Sequence, residues 1–155
     1  MKIRLIILTF FLILVSVSCF SQIRIAEGRE AVLNKIVTFF AKKGIAIQTL
    51  DRPTGLIVSV QQSFLEHYCY LKNGEPKTPG SLVILTDGVK EDPSVVSGYY
   101  NIVLKEEGNA TEVNASIANL QAYYEKRMRG YSKKYAFSAK SSGVFEKELF
   151  DFLNK

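Results

Sequence analysis

The chain has 155 residues and a formal charge of +5, with 20 Lys and Arg against 15 Asp and Glu. This length suits one ordinary domain, which can bury an adequate core without disulfides or metals. The positive charge is mild and spread along the chain, with locally dense runs only at 42–43, 126–129 and 133–134. Basic runs of this size usually form a solvated face, so composition argues against nucleic-acid binding. A single histidine and two cysteines are too few for most zinc sites, and we expect neither a metal nor a cofactor.

Residues 1–21 have the three parts of a secretory signal peptide. Two basic residues lie near the start, an almost unbroken apolar run covers 5–17, and small residues precede a cleavage point after Ser21. The apolar run is shorter than the roughly 20 residues that a membrane-spanning helix needs. We therefore expect export, followed by a single domain at 22–155.

Cys19 offers an alternative end to the leader. A lipoprotein cysteine would be acylated and would remain as the first residue of a membrane-anchored form. Such sites usually have Leu three residues earlier, where this chain has Ser16, so cleavage after Ser21 is favoured. That cleavage leaves only Cys69, and no internal disulfide can form. The expected location is periplasmic or secreted, with an outer-membrane lipoprotein anchored through Cys19 as the alternative.

The chain after the leader begins with a predicted helix over 27–43. Its apolar residues recur at helical spacing on one face, and Gly44 is placed to end the helix in a left-handed cap. Two β-branched runs, 45–50 and 56–61, flank the sequence Asp-Arg-Pro-Thr-Gly. That turn sequence predicts a hairpin.

The middle of the chain is less regular. Residues 64–71 predict either a short strand or a helical turn, because periodicity does not separate the two. A loop rich in Pro and Gly at 72–81 precedes a buried strand candidate at 82–85, and 89–98 is predicted to be a second loop.

A second hairpin is predicted from strands at 99–105 and 111–117, joined by a turn that contains Gly108. Residues 120–129 fit either a helix face or a continuation of the preceding strand. The polar segment 130–142 is predicted to be a connection.

A last helix is predicted after Ser142, which can cap it, with Glu146 placed to complete a capping box or to complement the helix dipole. The element order predicts an α+β fold. It would be an antiparallel sheet of about four to five strands with an N-terminal and a C-terminal amphipathic helix packed on one face. The other face of the sheet, or the groove between helix and sheet, would then be free to bind.

The sequence contains no arrangement typical of an enzyme. No Gly-rich phosphate loop follows a strand, and no Gly-x-Ser-x-Gly is present. The one candidate reactive pair is Cys69 with His67, which would share a face on a strand. Because Tyr68 and Tyr70 flank the cysteine, a packed aromatic strand is the simpler interpretation. We predict a non-enzymatic protein; the alternative is a periplasmic enzyme or small-ligand carrier that uses Cys69 and His67.

Tyrosine is the residue type from which we expect a binding surface. Tyr99, Tyr100, Tyr123 and Tyr124 are the candidates, because Tyr offers contact area at low entropic cost and keeps a polar group. The expected partner is an envelope protein or a small apolar ligand, and no nucleic acid. The membrane would be contacted only through a lipid on Cys19.

Two segments of the chain resemble a known group of proteins. One is the first helix with 45–47 and the turn and strand at 51–58, and the other is 141–146 with Leu149. They resemble small uncharacterised envelope proteins and lipoproteins of Bacteroidetes, and in shape they are similar to the helix-grip domains of an outer-membrane assembly lipoprotein. The resemblance implies an accessory or scaffolding role in the cell envelope without catalysis, and it assigns no binding residue.

Overall fold

The computed structural model describes residues 22–72, 74–86 and 91–155. The predicted signal peptide and Cys19 lie outside these residues. Within them, no helix is long and apolar enough to span a membrane. The described part of the chain is mostly β, with 52% of its residues in strands and 20% in helices.

Two helices and eleven strands are found in the described part of the chain. The helices are α1 (Arg29–Lys43) and α2 (Val144–Leu153). The strands are β1 (Gln22–Ile25), β2 (Ile47–Asp51), β3 (Leu56–Ser59), β4 (Gln62–Ser63), β5 (Tyr68–Lys72), β6 (Glu75–Pro76), β7 (Val83–Thr86), β8 (Val95–Glu107), β9 (Ala110–Met128), β10 (Tyr131–Ala136) and β11 (Ser138–Ser141).

The strands form two sheets. The larger has seven strands in the order β1-β9-β8-β3-β2, with β10 also paired to β9 and β4 to β8. All of its pairings are antiparallel. The smaller sheet has the order β11-β7-β5-β6, and its β5–β7 pairing is parallel. The predicted α+β fold with one sheet of about four to five strands is therefore wrong.

Several segments that were predicted as loops contain strands. Residues 89–98 were expected to be a loop, but β8 already begins at Val95. The expected connection at 130–142 contains β10 and β11. These segments carry polar residues or small residues on at least one face, so they lack the apolar alternation that identifies a half-buried strand.

Both undecided segments contain a strand. Residues 64–67 form a turn and β5 follows from Tyr68, whereas 120–129 continues β9 as far as Met128. Both predicted hairpins are confirmed, β2 with β3 and β8 with β9.

A bulge in β9 changes which side chains point inward. Asn119 and Leu120 lie opposite the single residue Gly98 of β8, and Asn119 has a left-handed φ of 51°. Odd-numbered residues are buried over 111–117, whereas the even-numbered Ala122 is buried beyond the bulge. Because the extra residue shifts the alternation by one position, no single period-two pattern runs through β9.

Both predicted helices are confirmed, and Gly44 ends α1 in the left-handed conformation with φ 68°. The predicted cap of α2 is different. Its N-cap is Gly143, without a side-chain cap hydrogen bond. The buried carboxylate of Glu146 accepts hydrogen bonds from Ser141 Oγ at 2.8 and 3.1 Å. Ser141, rather than Ser142, therefore holds Glu146 at the start of α2.

Aromatic side chains connect the helices to the larger sheet. Phe40 of α1 has no exposed surface, and its ring lies 6.1 Å from that of Tyr100 and 6.5 Å from that of Phe145. The rings of Tyr100 and Phe145 stack with centroids 4.1 Å apart. One hydrophobic cluster thus contains residues from α1, α2 and both sheets.

Candidate binding surface

The end of β9 and most of β10 form a two-stranded arm that extends past the last residue pair between β8 and β9. The pairing of β8 with β9 ends with Val95 opposite Tyr123, whereas β10 pairs with β9 as far as Met128. Residues 124–135 are called the arm from here on. Five residues on each strand give the arm a length of roughly 17 Å at 3.4 Å per residue.

The arm is exposed on both faces. Every residue from 126 to 134 is exposed, and only the residues at the base are half-buried. Met128 is 40% exposed and Tyr131 is 63% exposed. These two large side chains lie opposite each other beside the turn at the tip.

Cross-strand register divides the arm into two faces, because directly opposite residues point to the same side. One face has a tyrosine pair at its base, a lysine pair in the middle and the Met–Tyr pair at its tip. The members of this face, which we call the lysine–tyrosine face, are Tyr124 with Tyr135, Lys126 with Lys133, and Met128 with Tyr131.

Aromatic contacts order the base of the arm. The rings of Tyr124 and Tyr135 stack with centroids 6.4 Å apart and planes at 27°. Lys133 Nζ lies 4.9 Å from the ring centroid of Tyr135, and Lys134 Nζ lies 4.5 Å from that of Tyr123. Each exposed cation–π contact contributes about 0.5–1 kcal/mol. The tyrosine rings therefore bias the positions of Lys133 and Lys134.

Ser94 fixes the base of the arm to the chain that enters β8. Its backbone N–H and its Oγ donate to the carbonyl of Tyr123 at 3.0 and 3.2 Å. The same Oγ accepts from the backbone N–H of Glu125 at 3.0 Å. An isolated two-stranded hairpin is marginally stable, so these hydrogen bonds help to hold the arm in one orientation.

Positive charge is concentrated on the arm. It has five basic residues and one acidic residue, a net charge of +4, whereas the rest of 22–155 has 13 basic and 14 acidic residues. Lys126 and Lys133 lie directly opposite each other, an arrangement that destabilises a hairpin. The ion pairs between described residues all lie outside the arm.

The four predicted surface tyrosines are brought together only in part. Tyr123 and Tyr124 lie half-buried at the base of the arm, and Tyr99 is half-buried in β8. Tyr100 is 6% exposed and belongs to the core, so it contributes no surface. The lysine pair and the Met at the tip were not among the predicted site residues. The sequence signal that could have predicted this surface is the alternation of Tyr and Lys at every second position on both sides of the Arg129–Gly130 turn.

Burial raises the pKa of Tyr100 to about 12, and the negative charges of Glu148 and Glu146 add to the effect. The unfolded chain releases this proton near its usual value of 10, so the folded state holds more protons between pH 10 and about 12. The contribution of Tyr100 to stability is complete below pH 10 and is lost as the pH rises through this window.

Phe cannot ionise, so this pH-dependent contribution is absent from the Tyr100→Phe variant. We therefore expect the free energy of unfolding to fall less for Tyr100→Phe than for the wild-type protein between neutral pH and pH 12. Urea unfolding at the two pH values measures the change. Burial also raises the pKa of Tyr70 to about 12, but this group is present in both proteins and cancels in the comparison. Tyr131→Phe is the exposed control. An equal fall for Tyr100→Phe and wild type would contradict the assignment.

The Cys69–His67 pair is not assembled as a reactive pair. Cys69 is 4% exposed in β5, whereas His67 precedes the strand and is exposed. Among the described hydrogen bonds, none joins the two side chains. The same part of the chain contains no cluster of three His, Cys, Asp or Glu side chains placed to hold a metal.

We expect iodoacetamide to modify Cys69 more slowly in the folded protein than it modifies a free thiol at neutral pH, because a buried thiol is poorly accessible. Intact mass after timed quenching measures the rate, with the urea-unfolded chain as the control. A folded-state rate above that of the free thiol would restore the hypothesis of an activated cysteine.

An apolar groove lies between β1 and α2. Its volume is about 480 Å³, and Ile23, Val144 and Phe150 line it together with Lys147 and Asp151. None of the predicted site residues lies in this groove. It is a groove between helix and sheet of the kind expected for a small apolar ligand.

No protein-family model and no curated protein matches this sequence. The structure defines a small, mostly β protein with a two-stranded basic arm. The resemblance to helix-grip envelope lipoproteins therefore stays a prediction.

Proposed function

We propose that this protein is an exported, non-enzymatic binding domain of the cell envelope, and that the arm is its binding surface. The observation that carries the proposal is the arm itself. Its outer residues are exposed on both faces, and it concentrates cationic and aromatic side chains while the rest of 22–155 is nearly neutral. The leader-like sequence at 1–21 supports the location.

The structure of the arm favours recognition over a purely structural role. Residues 126–134 are exposed and bury no core surface, and the opposed Lys126 and Lys133 weaken the hairpin. A partner with negative charge would relieve that repulsion. Because Ser94 and the tyrosine contacts hold the base, less ordering entropy is lost on binding than for a hairpin without these contacts.

Lysine acetylation in isolated cell envelopes tests this function without knowledge of the partner. We expect Lys126 and Lys133 to react more slowly in envelopes than in the purified protein. Lys77, which is exposed outside the arm, should react at the same rate in both and is the control. Mass spectrometry of the peptides measures each rate.

Two outcomes would overturn the proposed function. Equal acetylation of the arm lysines in envelopes and in purified protein would show that the arm contacts nothing there. Recovery of the chain from the cytoplasm with Met1 and the leader intact would contradict export. An intact mass that starts at Gln22 or at acylated Cys19 supports export and identifies which leader cleavage occurs.

A carrier of a small apolar ligand is the second candidate, supported by the groove between β1 and α2. A hydrophobic fluorescent probe should gain emission on binding there, and Val144→Glu should reduce the gain because it places a charge in an apolar groove. Equal emission with the variant would remove this candidate.

A further inference from the structure

We propose that the arm docks on an anionic phospholipid surface, with its tip in the membrane interface and its lysines at the level of the headgroup phosphates. This inference rests on the proposed function, because it names the partner of the same surface. It assigns the protein a membrane contact that does not depend on a lipid at Cys19.

The tip of the arm has the chemistry of an interfacial anchor. Met128 and Tyr131 face each other there and are 40% and 63% exposed. Tyr has an apolar ring and a polar hydroxyl, which suits the boundary between headgroups and acyl chains. The Arg129–Gly130 turn adds a long side chain that can keep its charged end in the headgroup region.

The cations lie behind the tip at a distance that suits the headgroups. Lys126 and Lys133 are two residues from the Met–Tyr pair, which is roughly 7 Å along a strand. Interfacial segments bury their apolar side about 5–10 Å into the boundary region. Insertion of the tip to that depth would bring both ammonium groups to the phosphates.

Headgroup phosphates would also relieve the repulsion within the arm. The two opposed lysines have no acidic residue directly opposite either of them. A phosphate between them would replace a like-charge contact with two attractive ones. On the other face of the arm Lys134 lies opposite Glu125, whereas Arg127 lies opposite Ser132. Arg127 is therefore a further cation on the second side of an inserted tip.

The tip distinguishes a lipid surface from other anionic partners. Nucleic acid or an acidic protein segment would satisfy the lysines, but a phosphate backbone or a run of carboxylates places no apolar layer directly behind its charges to receive Met128. A bilayer interface offers both environments at the required separation. The observations therefore favour lipid over a soluble polyanion.

Vesicle co-sedimentation of the chain from Gln22 tests the inference. We expect binding to vesicles of phosphatidylcholine mixed with phosphatidylglycerol, weaker binding as salt is added, and little binding to phosphatidylcholine alone. Each basic residue near an anionic surface changes the partition coefficient about fivefold. Lys126→Glu should therefore reduce binding by at least tenfold, because it removes one cation and adds one anion.

Lys126→Glu is informative because it does not weaken the hairpin. The new carboxylate lies opposite Lys133, and an opposite-charge cross-strand pair is stabilising. Lys77→Glu makes the same change in net charge at an exposed position outside the arm, and it should bind the vesicles almost as well as wild type. Met128→Ser with Tyr131→Ser removes the apolar tip, and it should also reduce binding.

Three results would overturn the inference. These are absence of binding to anionic vesicles, equal losses for Lys126→Glu and Lys77→Glu, and tighter binding to duplex DNA than to anionic vesicles. If the arm lysines are protected in envelopes while vesicles do not bind, the binding function survives and only the lipid assignment fails. If the lysines are not protected, the function itself fails.

Discussion

Phe40→Ala is expected to lower the free energy of unfolding by about 3–5 kcal/mol. Phe40 has no exposed surface, and its ring contacts those of Phe39, Tyr100 and Phe145. The substitution removes a ring that joins α1 to the larger sheet and to α2, and the rigid strands around it cannot close the cavity. Urea unfolding followed by circular dichroism measures the loss.

Phe150→Ala provides the matched control. Phe150 is also helical, but it is half-buried at the apolar groove, so the expected loss is smaller, about 1–2 kcal/mol. Equal losses for the two variants would mean that α1 and α2 do not pack through Phe40 as the structure shows.

Gly55→Ala is expected to lower the free energy of unfolding by roughly 2–4 kcal/mol. Gly55 lies in the β2–β3 turn with φ +73°, and a Cβ at this position would lie 2.5 Å from the carbonyl oxygen of Leu104. The Gly55 carbonyl also accepts a hydrogen bond from the Leu104 N–H at 3.0 Å. The methyl group would therefore force the turn away from β8.

Gly108→Ala separates the clash from the backbone strain. Gly108 has φ +63° in the β8–β9 turn, but a Cβ there would meet nothing within 4 Å. Its expected cost is about 1 kcal/mol, from the left-handed conformation alone. If Gly55→Ala and Gly108→Ala lower the free energy of unfolding equally in this assay, the predicted clash between residue 55 and Leu104 is wrong.

The helices could be predicted from sequence because their burial follows a helical period. In α1 the buried side chains recur on one face and Gly44 ends the pattern. The β2–β3 hairpin was similarly clear, because a turn sequence with Gly55 separates two β-branched runs. Local signals of this kind depend on few distant contacts.

The sheet could not be predicted to its full extent. The arm is exposed on both faces, so its strands show no apolar alternation, and hairpin pairing with β9 decides the structure of 131–136. The bulge at Asn119 shifts the inward face by one residue, which conceals the continuity of β9. β1 is a short edge strand next to the predicted leader, and nothing in its four residues predicts pairing with β9.

Only part of the candidate surface was predicted, because residue type is visible in a sequence but cross-strand register is not. Tyr123 and Tyr124 were chosen for residue type and do lie at the base of the arm, whereas Tyr100 points into the core. The opposition of Lys126 and Lys133 depends on cross-strand register. The basic runs at 126–129 and 133–134 are visible in the sequence. Register across a turn is not visible until the turn residues are known, so the opposition of the two lysines became evident only in the structure.

Tryptophan fluorescence of Tyr131→Trp is the measurement that tests the role of the arm most directly. The chain contains no tryptophan, so the new side chain reports on the tip alone. We predict a shift of its emission to shorter wavelength with anionic vesicles and none with phosphatidylcholine vesicles. Leu65→Trp, at a position 41% exposed outside the arm, should not shift. An unchanged Tyr131→Trp spectrum with anionic vesicles, or an equal shift for both variants, would contradict insertion of the tip.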